Sequence, residues 1–93
     1  RPGQGTDTLP PTTPGFAAKR PAKWFDYEGI ELNWGESDDN IMVSYYEIYK
    51  NGEFLTKVSI GTYYFDEQGS IADKYEIRSV DADGNTSDFV VAS

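Results

Sequence analysis

This chain of 93 residues contains no cysteine and no histidine. Without cysteine, no disulfide can brace the fold and no thiol can act as a nucleophile. That absence does not fix a compartment, because many secreted bacterial domains also lack cysteine. Without histidine, the chain lacks the commonest general base and the commonest transition-metal ligand. Cations are scarce as well. Eight Lys and Arg stand against sixteen Asp and Glu, a formal net charge of −8. Such a balance argues against nucleic acid and anionic membrane as partners, since both need Lys and Arg to neutralise phosphate. No apolar run approaches the length of a membrane-spanning helix, and these 93 residues are expected to include no signal peptide. The first residue is Arg1 rather than Met, so the chain is expected to be a piece of a longer polypeptide.

Aromatic residues are abundant. Fourteen Trp, Tyr and Phe make up 15% of the chain, enough to furnish the core of one small domain without disulfides. They begin only after the first segment, "RPGQGTDTLPPTTPG", which is Pro, Thr and Gly with a single Leu. Its prolines favour extended polyproline geometry, and it offers nothing to bury. Residues 1–13 are therefore expected to be a linker, and residues 14–93 the domain.

Within the domain no helical period runs to a useful length. Short β-prone stretches alternate with turn residues instead. "GFAAK" is a weak first strand behind Pro14. "IELNW" places Ile30, Leu32 and Trp34 on one face. "VSYYEIYK" and "EFLTKVS" flank Asn51-Gly52, the strongest short hairpin signal, because both residues tolerate the positive φ of a type I′ turn. "TYYFD" directs Tyr64 inward. "KYEIRSVD" sets Tyr75, Ile77 and Ser79 against Glu76, Arg78 and Val80, and "TSDFVVA" closes the domain. Seven strands with turns every eight to twelve residues or so predict an all-β, seven-stranded antiparallel sandwich. The expected core is Ile30, Leu32, Trp34, Tyr46, Ile48, Tyr64, Tyr75 and Ile77.

Three motifs carry a resemblance: Trp34 in the second strand, "YEIYKNG" in the third strand and its turn, and "VDADGNTS" after the sixth. From about Pro14 to Ser93 the chain resembles the fibronectin type III domain. The kind in question is the accessory module of secreted bacterial polysaccharide-degrading enzymes. The resemblance implies an immunoglobulin-like sandwich, a secreted or extracellular location, and a monomer that spaces or docks neighbouring modules of its own polypeptide. It implies no catalysis and no cofactor. Two departures stand out. The tyrosine corner usual at the start of the sixth strand aligns with Asp73, leaving Tyr75 at the next inward position. The link between the first two strands is also long, and holds "KRPAKWFDYEG".

That insert supplies the candidate site residues, Trp24, Phe25 and Tyr27, beside Lys19, Arg20 and Lys23. Three readings apply. The rings could fold down over the open end of the sandwich and extend its core, the reading set first. They could dock a neighbouring module. They could bind polysaccharide, since ring faces stack on sugar C–H surfaces and exposed aromatic clusters mark binding surfaces. In that case the three cations would favour an acidic glycan. Tyr45, Tyr49 and Tyr63 fall on outward faces, where cross-strand pairing of aromatics is the ordinary role.

Acids gather in two loops, Glu36, Asp38, Asp39 and Asn40 in one and Asp81, Asp83 and Asn85 in the other. Oxygen ligands of this kind suit calcium. Yet counted from Asp81 as an EF-hand loop, position six is Thr86 rather than Gly and position twelve is Ala92 rather than Glu. Asp and Asn before Gly are simply good turn formers, and no metal site is expected. A glycosidase needs two acids facing across a cleft, and a small sandwich leaves no room for one. No phosphate loop, nucleophile elbow or zinc spacing is present.

Overall fold

The Asn51-Gly52 turn forms as its residue types demand. In the computed structural model both residues hold positive φ, 53° and 86°, and Lys50 pairs with Glu53 across the turn. The structure describes residues 11–37 and 43–93. Most of the expected linker, and Asp38, Asp39 and Asn40 of the first acidic loop, lie outside the described residues. Seven strands follow in order: β1 (Ala17–Trp24), β2 (Tyr27–Trp34), β3 (Val43–Lys50), β4 (Glu53–Val58), β5 (Tyr63–Asp66), β6 (Tyr75–Asp81) and β7 (Val90–Val91). They form two antiparallel sheets, one ordered β1-β2-β5 and the other β4-β3-β6-β7. The all-β sandwich expected from the alternation is the architecture found, and no helix occurs among the described residues.

The core lies between the inner faces. Ile30, Leu32, Trp34, Tyr46, Ile48, Tyr75 and Ile77 are buried, joined by Ala17 and Ala92. Trp34 meets Tyr46 edge to face, their ring centroids 5.6 Å apart. Tyr64 packs against this cluster but is only half-buried. It sits on β5, the sheet edge, where no further strand covers it. Val80, expected outward, is buried. The chain after β6 folds back beside it, with Thr86 bridging to Val80 and Ser87 N–H donating to Ser79 O.

The first hairpin departs most from expectation. "KRPAKWFDYEG" is no inserted link. It is continuous strand, with Ala17 opposite Trp34 at one end of the ladder and Trp24 opposite Tyr27 at the other. The turn is Phe25-Asp26 alone. Gly29 lets this hairpin lie close to β5, since a Cβ there would lie 2.2 Å from the backbone oxygen of Asp66. The core does not extend as far as the hairpin tip. Lys23 and Glu28 are directed inward by alternation, yet both are exposed. Ser93 N–H donates to Ala17 O while Lys19 N–H donates to Ser93 O, the pattern of a parallel bridge. The C-terminal residue thus runs alongside β1 toward the hairpin tip.

Candidate functional site

Strand alternation sorts the side chains of the three-stranded sheet. Ala17, Ile30, Leu32, Trp34, Tyr64 and Asp66 share the inner face. Across the registers Trp24↔Tyr27, Arg20↔Glu31, Glu31↔Phe65 and Asn33↔Tyr63, the other set shares the outer face. That outer face carries Trp24, Tyr27, Tyr63 and Phe65, with Phe25 at its tip. Trp24, Phe25 and Tyr27 are 60%, 77% and 56% exposed, so they do not extend the core as the first reading had it. The reason is geometric: alternation puts Trp24 and Tyr27 on the outer face, away from the opposing sheet, and Phe25 lies in the turn.

The rings are nevertheless held. Trp24 packs against Phe25 with centroids 5.1 Å apart and meets Phe65 edge to face at 6.4 Å. Phe25 adopts φ 55°, a left-handed conformation that costs a residue with a Cβ roughly 1–2 kcal/mol. A groove of about 640 Å³ runs over the β5 edge, lined by Trp24, Tyr63 and Phe65 together with Leu55, Glu67 and Gln68. That volume falls in the ordinary range for small-ligand sites.

Polar groups share the same face. Arg20 Nε donates to Glu31 Oε2 at 2.7 Å, and Arg20 Nη2 lies 2.7 Å from the same oxygen. Asn33 Nδ2 donates to it as well, at 2.9 Å. The Arg20 charge is therefore paired. Lys19 faces the other way, and its Nζ donates to the backbone oxygen of Asp73 at 2.6 Å. Of the three cations in the motif, only Lys23 has no such tie among the described residues. Alternation along β1 also puts Arg20 on the opposite face from Lys19 and Lys23, so the three cations are not gathered on one face.

The aromatics of the four-stranded sheet behave differently. Tyr49 lies edge to face against both Phe54 and Phe89, and Arg78 sits over the rings of Tyr49 and Phe89 while donating to Glu47 at 2.8 Å. Lys57 covers Tyr45. These rings are engaged with their own neighbours, the cross-strand role expected of Tyr45 and Tyr49. Tyr63 has no ring partner among the described residues and belongs with the outer face of the other sheet.

At the second acidic loop, Asp81 is buried and engaged by its own turn. Its carboxylate accepts from the backbone N–H of Asp83 and Asn85 and from Asn85 Nδ2. Burial pushes its pKa up, but these hydrogen bonds outweigh burial and leave it below the usual carboxylate value. No cluster of three metal-ligating side chains occurs among the described residues.

A second polar cluster carried no sequence signal. Asp66, at the end of β5, is buried. It accepts from the Tyr75 hydroxyl at 2.7 Å and pairs with Lys50 Nζ at 2.9 Å, and the Gln68 N–H donates to it. Tyr75 thus takes up a corner-like bond, but to a carboxylate. Asp73, the aligned corner position, instead accepts from Asn51 Nδ2 and Ser70 N–H at the surface. Alternation placed Tyr75 inward; nothing in the sequence paired its hydroxyl with Asp66.

If Phe25 serves a surface rather than the fold, removing its ring should not weaken the domain. Phe25→Gly should leave the melting temperature unchanged or slightly raised, because glycine accepts positive φ without strain. A fall of more than about 5 °C, on the order of 1 kcal/mol at this size, would make Phe25 a packing residue.

Against known proteins, no family model matches the chain. It is similar to a segment of an alpha-amylase from Niallia circulans, 37% identical over 93 aligned residues, which cover 94% of this chain. It is also similar to a segment of chitinase Chi52 from Paenibacillus xylanexedens, 32% identical over 82 residues, which cover 87% of this chain. It spans only 7% of the first protein and 15% of the second.

Proposed function

We propose that this chain is a fibronectin type III-like accessory module of a larger extracellular carbohydrate-active enzyme, one that takes no part in turnover. The observation that carries this reading is the similarity to small segments of two much larger proteins, one named an alpha-amylase and the other a chitinase. A segment shared by enzymes of such different substrates serves something other than their individual chemistry. The fold is in keeping with this. Seven strands in two antiparallel sheets are what the fibronectin type III resemblance implies, and that fold hosts many roles. The role assigned is to space or dock neighbouring modules of the same polypeptide. Ser93 lies beside Ala18 and is directed along β1 toward the pole that carries the aromatic hairpin, so a module following it would extend toward that pole.

The test has two arms. The isolated chain should release no reducing sugar from soluble starch or colloidal chitin. Removing residues 14–93 from the polypeptide that carries them should leave kcat on a short soluble substrate within about twofold, well under 1 kcal/mol of barrier. Sugar release by the isolated chain, or collapse of kcat on the soluble substrate, would place the module in the chemistry.

A further inference from the structure

We infer that the outer face of the three-stranded sheet is a binding platform for a neutral polysaccharide, reading successive sugars with Trp24, Phe65 and Tyr63. The inference deepens the accessory-module reading and rests on it for the module's setting. Three observations carry it.

The first is the assembly of rings. Trp24 from β1 and Phe65 from β5 meet across β2, and Tyr63 lies two residues from Phe65 on the same strand face. Two strand residues span about 6.7 Å, so the rings are set out along a line rather than heaped into a core. Apolar ring faces suit the C–H surfaces of pyranoses, and the exposed edges of Trp and Tyr retain polar handles.

The second is the polar set beside them, on β1 and β2. Arg20, Glu31 and Asn33 hold one another through a single carboxylate oxygen, Glu31 Oε2. Their orientation is settled before any ligand arrives, which lowers the ordering cost of binding. Glu31 has a second carboxylate oxygen, and the Arg20 and Asn33 groups have further N–H donors beyond those used. Sugar hydroxyls both donate and accept and match such a set.

The third is charge. Arg20 is neutralised by Glu31, Lys19 is tied to Asp73 on the other side of the strand, and the chain carries −8. An acidic polymer is repelled by this balance. A neutral one is not.

The test is retention of the folded 93-residue chain on soluble starch by affinity electrophoresis and on colloidal chitin by sedimentation, with sodium alginate as the acidic comparison. Of the two tryptophans only Trp24 is exposed, so a change in emission on adding polymer reports on it. Saturable retention on starch or chitin is expected, without retention on alginate. Trp24→Ala and Phe65→Ala should each weaken it about tenfold or more, the scale of losing one stacked ring with its buried area. Phe54→Ala, on the opposite sheet, should leave it unchanged. Thermal melts of each variant separate lost binding from lost fold.

Stronger retention on alginate than on starch would overturn the neutral assignment. Binding that survives the Trp24→Ala, Phe65→Ala double variant would overturn the platform. So would a folded chain that neither polymer retains, above all if Trp24→Ala then exposes the junction with the next module to protease. None of these failures touches the accessory-module reading, which is tested by sugar release and by removal of residues 14–93.

Discussion

Replacing Trp34 by Ala should destabilise the domain by roughly 3–5 kcal/mol. Trp34 is 2% exposed, lies in the middle of the two-sheet core and meets Tyr46 edge to face. Removing it deletes the largest buried side chain and leaves a cavity between two sheets that are held apart by their other contacts. A domain of this size has about 5–15 kcal/mol to lose, so the variant should melt on the order of 15 °C lower. Urea unfolding followed by far-UV circular dichroism measures this directly. Trp34 Nε1 has no acceptor among the described residues, so Trp34→Phe should cost clearly less than Trp34→Ala. A Trp34→Ala protein with near-native stability would mean that Trp34 is not in the core.

Asp66→Ala should cost about 3 kcal/mol at neutral pH, between the penalty for an unsatisfied buried hydroxyl and that for a broken buried ion pair. The Tyr75 hydroxyl loses its acceptor, and Lys50 loses its closer carboxylate. The loss should depend on pH in a determined direction. Burial pushes the Asp66 carboxyl up, but the hydrogen bonds from Tyr75, Lys50 and the Gln68 N–H prevail and hold its pKa below the ordinary 3.8. A depressed folded-state pKa contributes stability above the unfolded value, and that contribution fades as pH falls through the folded value. The gap between wild type and Asp66→Ala should therefore be widest near neutrality and narrow below about pH 4. The hydrogen bond to Asp66 raises the Lys50 pKa above 10.5, and burial together with Asp66 raises that of Tyr75 above 10.0. Their contributions are present below those values and are lost as pH rises beyond them. Wild type should thus weaken at both extremes, and Asp66→Ala less so at each. Urea midpoints at pH 7 and at about pH 2.5 decide the matter, since an Asp66→Ala gap that does not narrow in acid would show that the charge on Asp66 contributes nothing.

Much of the fold was legible in the residues. Asn51-Gly52 had to turn, because few other pairs accept two consecutive positive φ values. Ile30, Leu32 and Trp34 had to share a face, as did Tyr46 with Ile48 and Tyr75 with Ile77, because side chains alternate along a strand. These are local constraints, and a linear sequence contains them whole. The position of Tyr64 shows where they weaken. Alternation gave its direction, but burial depended on a neighbouring strand that an edge position does not have.

What the sequence left open was everything that depends on which strands meet and how far the sheets overlap. "KRPAKWFDYEG" read as an inserted link because the fibronectin type III pattern has no counterpart for it, yet pairing with Tyr27–Trp34 makes it strand to its tip. The three rings read as core because aromatics beside a sandwich usually find one. They are exposed because Trp24 and Tyr27 occupy the outer face of their sheet and Phe25 its turn. Their joining with Phe65, and the joining of Asp66 with Tyr75 and Lys50, required strands brought together by folding rather than by nearness in the chain. Sequence determined which side of each strand a residue occupies; tertiary structure decided what lies opposite it, because burial is a property of two surfaces and a strand supplies only one.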